Sequence, residues 1–270
     1  METKLNYKRT FLIGLAFLSI CSFWQMYDNI IPLILQNTYH LGETMTGAVM
    51  ALDNVLAIFL LPVFGTLSDK VHTKLGRRMP FIVSGTILAV IFMMLLPMID
   101  NAEKARWGTV ESFSNQVIFL AVLFFTLVSM GLYRSPAVAL MPDVTPNHLR
   151  SRANAVINLM GAVGGVYALI MIKVLVGKGE TPDYLPLFAS IAAVMAIAVG
   201  ILVITIRENK LREEVEKAEA ANAGTIEEKA MAEGVEAAGE IEAVGDTGEV
   251  KAFDGKKQTG KTEGTKGMPK

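Results

Sequence analysis

Three ionisable residues, Asp28, Asp53 and Arg134, interrupt long apolar stretches of this 270-residue chain. A charge is expensive to hold in such a stretch, and one found there usually handles an ion or a polar solute. Two carboxylates held close together cannot both ionise cheaply, which suits one of them to take up and release a proton. An arginine nearby competes with that proton for the negative charge. Carboxylate and guanidinium together also supply the directional hydrogen bonds that orient a polyhydroxyl ligand. The same trio would serve as a structural salt bridge, although buried pairs are weak stabilisers.

Other polar residues gather around the trio. Cys21, Gln25 and Asp28 recur at i, i+4 and i+7, which puts them on one helical face, with Ser22 and Asn29 beside them. Trp24 and Tyr27 add aromatic surface of the kind that stacks on a sugar ring, and Trp24 suits core or lipid packing equally well. Asn154, Asn158, Gly161 and Gly165 form a second stripe. Its small residues favour close helix packing over ligand contact, and Asn158 is the member placed on the solute path.

Six apolar stretches must carry these residues, over 11–36, 45–67, 79–99, 116–141, 153–176 and 184–206. Each is long enough to cross a bilayer, which takes about 20 residues. The predicted fold class is an all-α membrane protein of six transmembrane helices over 1–206, with a charged tail over 207–270. From the helical rise, Asp28 and Asp53 should both lie about 12 Å inside the apolar slab, and Arg134 about 6 Å deeper. All three could then meet near the midplane.

Lys and Arg near spanning helices are retained on the cytoplasmic side. Lys4, Lys8, Arg9, Lys70, Lys74, Arg77, Arg78, Arg150, Arg152, Arg207, Lys210 and Arg212 all fall on one side of the six-span topology. Only Lys104, Arg106, Lys173 and Lys178 fall on the other. The expectation is a multi-pass protein of the cell membrane with both termini cytoplasmic. The run from Phe11 to Leu35 is too long for the core of a secretory signal, about 7–15 residues.

The tail has a different chemistry. Residues 207–221 read as a solvated helix, supported by Glu208 with Arg212 and Glu213 with Lys217 at i, i+4. From Asn222 onward large apolar residues are almost absent, so disorder is expected. Residues 255–262, GKKQTGKT, match a nucleotide-binding loop letter for letter. They lack the buried strand and following helix that the chemistry needs, so the match reads as coincidence. The single cysteine excludes an intrachain disulfide. His40, His72 and His148 fall on separate loops. No enzyme signature, cofactor, metal site or nucleic-acid partner is expected.

One loop carries a more specific signal. GTLSDKVHTKLGRR over 65–78, continuing as MPFI over 79–82, closely resembles the loop between helices 2 and 3 of major-facilitator transporters. Within them it is most similar to the glycoside–pentoside–hexuronide cation symporter group, nearest its sucrose/proton symporter-like branch. YRSPAVALMPD over 133–143, followed by RSRANA over 150–155, resembles that branch's helix-4 motif and the opening of its helix 5.

The resemblance implies that Gly65, Asp69, Gly76, Arg77 and Arg78 form a cytoplasmic gating loop, with Asp143 and Arg150 as its counterpart. It implies that Asp28, Asp53, Arg134, Gln25, Trp24 and Asn158 face the path of substrate and proton. It also implies twelve helices in two halves, each half made of two inverted three-helix repeats. Tyr27-Asp28-Asn29 before Pro32, and Tyr133-Arg134-Ser135 before Pro136, hint at that repeat. The expected function is the N-terminal half of a sugar or glycoside symporter. It would be coupled to a proton, or to sodium, and work by alternating access. Alone it would be incomplete, needing a second six-helix half that is missing, separately encoded or a second copy. A homodimeric half-size transporter and a non-transporting membrane scaffold stay open.

Overall fold

The computed structural model describes residues 5–71, 73–105, 113–177, 182–217, 219–220 and 224. The expected disorder after Asn222 and the nucleotide-loop match fall almost wholly outside them. The described residues form helices, with a single isolated bridge between Thr73 and Gly76. This is what lipid demands, because a helix satisfies its backbone polar groups internally.

In chain order the helices are α1 (Tyr7–Asn37), α2 (Glu43–Met50), α3 (Leu52–Lys70), α4 (Met79–Lys104), α5 (Phe113–Asp143), α6 (Arg150–Leu175) and α7 (Leu185–Thr205). A 3₁₀ turn, Asn147–Leu149, precedes α6, and a shorter helix, α8, covers 208–217. Six segments are long and apolar enough to span a membrane, with α2 and α3 counting as one span interrupted at Ala51. They lie where the sequence placed them, to within a few residues at most ends. The Asn6 side chain caps α1 by accepting from the Arg9 amide at 3.3 Å, and a proline stands in the first turn of α4.

Helix α1 is the hub. It packs most extensively on α6, and also on α7, α5 and α2, while α4 packs on α5 and α7, and α3 on α5. Phe23, Ile30, Ile31, Ile34 and Leu35 of α1 are all buried in the shared core. Small residues set the closest crossings. A Cβ on Gly164 would run into the Leu18 carbonyl oxygen, and one on Gly85 would come 2.6 Å from the Tyr133 amide nitrogen. Gly161 packs against the Cys21 sulfur. The small-residue part of the second stripe is therefore a packing seam, as its composition suggests.

Buried hydroxyls pin the helices where backbones approach. The Ser22 hydroxyl lies 2.9 Å from the Gly164 carbonyl. The Tyr133 hydroxyl lies 2.7 Å from Ser19 Oγ and 3.1 Å from the Ala16 carbonyl. Ser135 donates to the Leu61 carbonyl at 2.8 Å, beside Gly65, where a Cβ would sit 3.4 Å from its oxygen. The Tyr133 and Ser135 contacts fix α5 against α1 and α3, one residue either side of Arg134.

We call the end of the bundle that carries the 65–78 loop the basic end, and the opposite one the far end. At the far end α4 runs to Lys104, beyond its expected stop at residue 99. The extra turn carries Asp100, whose side chain is fully buried. Asp100 accepts from Thr38 Oγ1 at 2.7 Å and from Lys104 Nζ at 2.6 Å. Lys104 also donates to the Pro182 carbonyl at 2.6 Å and lies over the Tyr184 ring at 4.4 Å. Asn101 donates to Asp183, which also accepts the Leu185 amide. The cluster joins the ends of α1 and α4 to the start of α7. Burial, reinforced by the Asp100 charge, pushes the Tyr39 and Tyr184 phenols above their ordinary range.

Candidate functional site

Trp24 of α1, Asp53, Leu56, Ala57, Leu60 and Leu61 of α3, and Leu127, Gly131 and Arg134 of α5 line one cleft. Its enclosed volume is about 20 Å³, room for a water and not for a sugar. Arg134 stacks on Trp24, with its guanidinium carbon 5.4 Å from the indole centroid. The face expected to meet a sugar is thus covered by a cation in this conformation. Among the described residues Arg134 forms no salt bridge, so the trio is not the structural bridge that its residue types also allow.

Of the two carboxylates only Asp53 lines the cleft. Asp53 is half-buried at the start of α3 and accepts from Asn54 Nδ2 at 3.0 Å. Asp28 is exposed and lies within reach of the Asp53 charge. Pro32 removes the helical donor for the Asp28 carbonyl. Gln25 points toward Gly165, with Oε1 3.7 Å from where a Cβ would lie. Asn158 is exposed on α6 and does not line the cleft. The structure thus gathers Trp24, Asp53 and Arg134, sets Asp28 within their electrostatic reach, and leaves Asn158 apart.

The basic end holds a second polar centre. Arg78, 6% exposed, lies 3.0 Å from Asp143 and 2.6 Å from Asp69. It also donates to the Gly65 carbonyl at 3.2 Å and to the Ser68 hydroxyl. Arg77 approaches Asp143 at 3.5 Å. One guanidinium therefore ties the end of α3, the start of α4 and the end of α5. Arg150 acts separately, donating to the Pro142 and Thr145 carbonyls and closing the turn between α5 and α6.

Glu208 is the main residue that sequence reasoning missed here. It is 1% exposed, not solvated, and does not pair with Arg212, which bonds Glu216 at 2.9 Å instead. The Glu208 carboxylate accepts from the backbone amides of Arg77, Arg78 and Met79 at 2.9–3.1 Å. These are orphan donors at the start of α4, where a negative charge is favoured. Gly76, at φ 123°, makes room for it, since a Cβ there would collide with the carboxylate. The Asn209 amide donates to the Thr73 and Lys74 carbonyls, and Glu214 pairs with Arg9 at 2.8 Å. Leu211 and Val215 are buried. Leu211 and Val215, two apolar residues four apart, were the available sequence signal for a packed helix. The other expected tail pair is present, with Lys217 2.7 Å from Glu213.

Comparison with known proteins fits this geometry. Sucrose transport protein SUT3 of Oryza sativa subsp. japonica is 26% identical over 137 residues, covering 48% of this chain and 27% of that protein. Sucrose transport protein SUC4 of Arabidopsis thaliana is 34% identical over 116 residues, covering 40% of this chain and 22% of its own. An uncharacterized symporter of Synechocystis is 24% identical over 144 residues, covering 52% and 25%. The chain thus spans about a quarter of the length of the relatives it matches. Residues 13–238 match the sequence profile of the Major Facilitator Superfamily. With its six apolar helices and its match over most of its length, the chain belongs to the Major Facilitator Superfamily of membrane transporters and not to an enzyme family.

Proposed function

We propose that this bundle is the amino-terminal half of a cation-coupled sugar symporter, with its basic end in the cytoplasm. The observation that carries the reading is one cleft lined by a half-buried carboxylate, an indole and an arginine that stacks on that indole and, among the described residues, forms no salt bridge. A guanidinium parked on an aromatic ring is free to exchange that contact for the hydroxyls of a ligand. Two carboxylates this near one another, Asp53 and Asp28, suit the binding and release of a coupling proton, with sodium as the other candidate ion. The sucrose transport proteins among the relatives support a sugar as the solute.

Helices α3 and α6 support the need for a second bundle. Ile58 and Phe59 of α3 are 70% and 64% exposed, and Leu159 and Val174 of α6 are 66% and 68% exposed. Alternating access requires such faces to rock against a partner bundle, with the site between them. The Arg78 cluster would hold three helix ends together while that motion occurs. The second bundle could be further sequence, a separate chain or a second copy, and crosslinking from α3 distinguishes them.

The test uses the carrier that contains this bundle, with labelled sucrose uptake measured under an imposed pH gradient. Arg134→Gln should lower uptake about 10- to 100-fold, the scale of losing charged hydrogen bonds. Asp53→Asn should leave whatever uptake remains insensitive to the gradient, and Asp28→Asn should weaken that sensitivity. Unchanged coupling in all three variants would remove these residues from the path.

A further inference from the structure

Among the described residues two buried phenol hydroxyls lack a hydrogen-bond partner, those of Tyr27 and Tyr39, and Tyr27 is the one that packs on Trp24 of the cleft. Tyr27 is 1% exposed. The indole N–H of Trp24 is likewise buried and unpaired. The two rings sit one helical turn apart on α1, in edge contact at 5.5 Å between centroids. Orphaned buried polar atoms are rare and costly, of order 1–3 kcal/mol each. Two together, beside the cleft that Trp24 lines, need a reason.

Tyr133 holds the corresponding position in the second Tyr–charge–polar triplet, and it is also buried. Its hydroxyl is fully engaged by Ser19 and the Ala16 carbonyl, joining α5 to α1. Tyr133 is thus paired where Tyr27 is not, and the other unpaired phenol, Tyr39, stands past the end of α1 and outside the cleft lining.

The surroundings define what would complete Tyr27. An indole N–H is a donor only, and a phenol beside two carboxylates is best used as a donor. The charges of Asp53 and Asp28 both act on Tyr27, which disfavours an anion as the missing acceptor. A cation would not accept from either group. An uncharged ligand with acceptor oxygens, and hydroxyls to offer the carboxylates in return, meets all of these conditions. We propose that Tyr27, with Trp24 beside it, is a specificity-determining donor that reads hydroxyl oxygens of an uncharged sugar. The inference rests on the sugar reading above and adds a residue and a ligand chemistry to it.

The experiment measures half-saturation and maximal rate of uptake for sucrose, and competition by its monodeoxy analogues, in the carrier that contains this bundle. Tyr27→Phe should raise half-saturation about 3- to 10-fold with maximal rate retained, the scale of one neutral hydrogen bond. At least one deoxy analogue that is penalised in the wild type should lose its penalty in Tyr27→Phe, because the group that read the missing hydroxyl is gone. Tyr133→Phe should reduce thermal stability and leave the analogue profile alone. Trp24→Phe provides a second variant should Tyr27→Phe fail to reach the membrane, and it too should erase one penalty. An unchanged profile and half-saturation in Tyr27→Phe, or in Trp24→Phe where that variant stands in, would overturn the inference while leaving the sugar reading intact. A wild-type carrier that neither takes up sucrose nor is inhibited by any analogue would overturn the sugar reading, and this inference with it.

Discussion

Lys104→Met should destabilise the bundle by about 3–5 kcal/mol, the cost of stranding a buried charge. Asp100 is wholly inside the protein, and among the described residues its side-chain partners are Lys104 and the Thr38 hydroxyl. Methionine keeps much of the lysine stem's packing over Tyr184 and removes the charge. The carboxylate then stays buried with one neutral donor, and the Pro182 carbonyl loses its lysine contact. Adding Asp100→Asn to Lys104→Met should recover most of the loss, since asparagine can still accept from Thr38 and carries no charge. Thermal unfolding of the purified protein in detergent would show both effects. A Lys104→Met protein as stable as wild type would mean that the far-end cluster does not hold α1, α4 and α7 together.

Glu208→Ala should cost on the order of 3 kcal/mol, because it orphans three backbone amides at the start of α4. Glu208→Gln should recover little, since its one carbonyl oxygen cannot replace two carboxylate oxygens and its amide N–H groups would face other donors. Arg212→Ala makes the contrast. Its bond to Glu216 is an exposed i, i+4 pair, worth about 0.3–0.5 kcal/mol. Unfolding midpoints and protease sensitivity of the 208–217 segment measure all three. Equal effects of Glu208→Ala and Arg212→Ala would mean that α8 is only loosely apposed to the basic end.

Both of these clusters escaped the sequence reading, while the spans that carry them did not. The six spans were legible because lipid imposes one length and one composition on any crossing helix. Asp28, Asp53 and Arg134 were legible because charges within such spans are conspicuous. Asp100 was not, since the expected span stopped at residue 99, where polar residues begin, while the helix continues another turn to bury it. Glu208 was misread for a related reason. The spacing to Arg212 is a local rule, and the amides that Glu208 caps lie about 130 residues away in sequence, where no periodicity points. Trp24 lines one cleft with Arg134 and Asp53, and its ring carries the guanidinium in this conformation. Asn158 shared a stripe with Gly161 and Gly165, yet only the glycines pack inward while Asn158 faces out.

The proposed coupled flux passes the cleft that Asp53, Trp24 and Arg134 line. The most direct measurement is a pH-electrode record of a lightly buffered suspension of cells expressing the carrier, as sucrose is added. The account predicts alkalinisation of the medium that tracks sucrose uptake, disappears in Asp53→Asn, and gives way to sodium-dependent uptake if sodium is the coupling ion. Sucrose uptake that proceeds at the same rate without any proton or sodium movement, in wild type and Asp53→Asn alike, would contradict it.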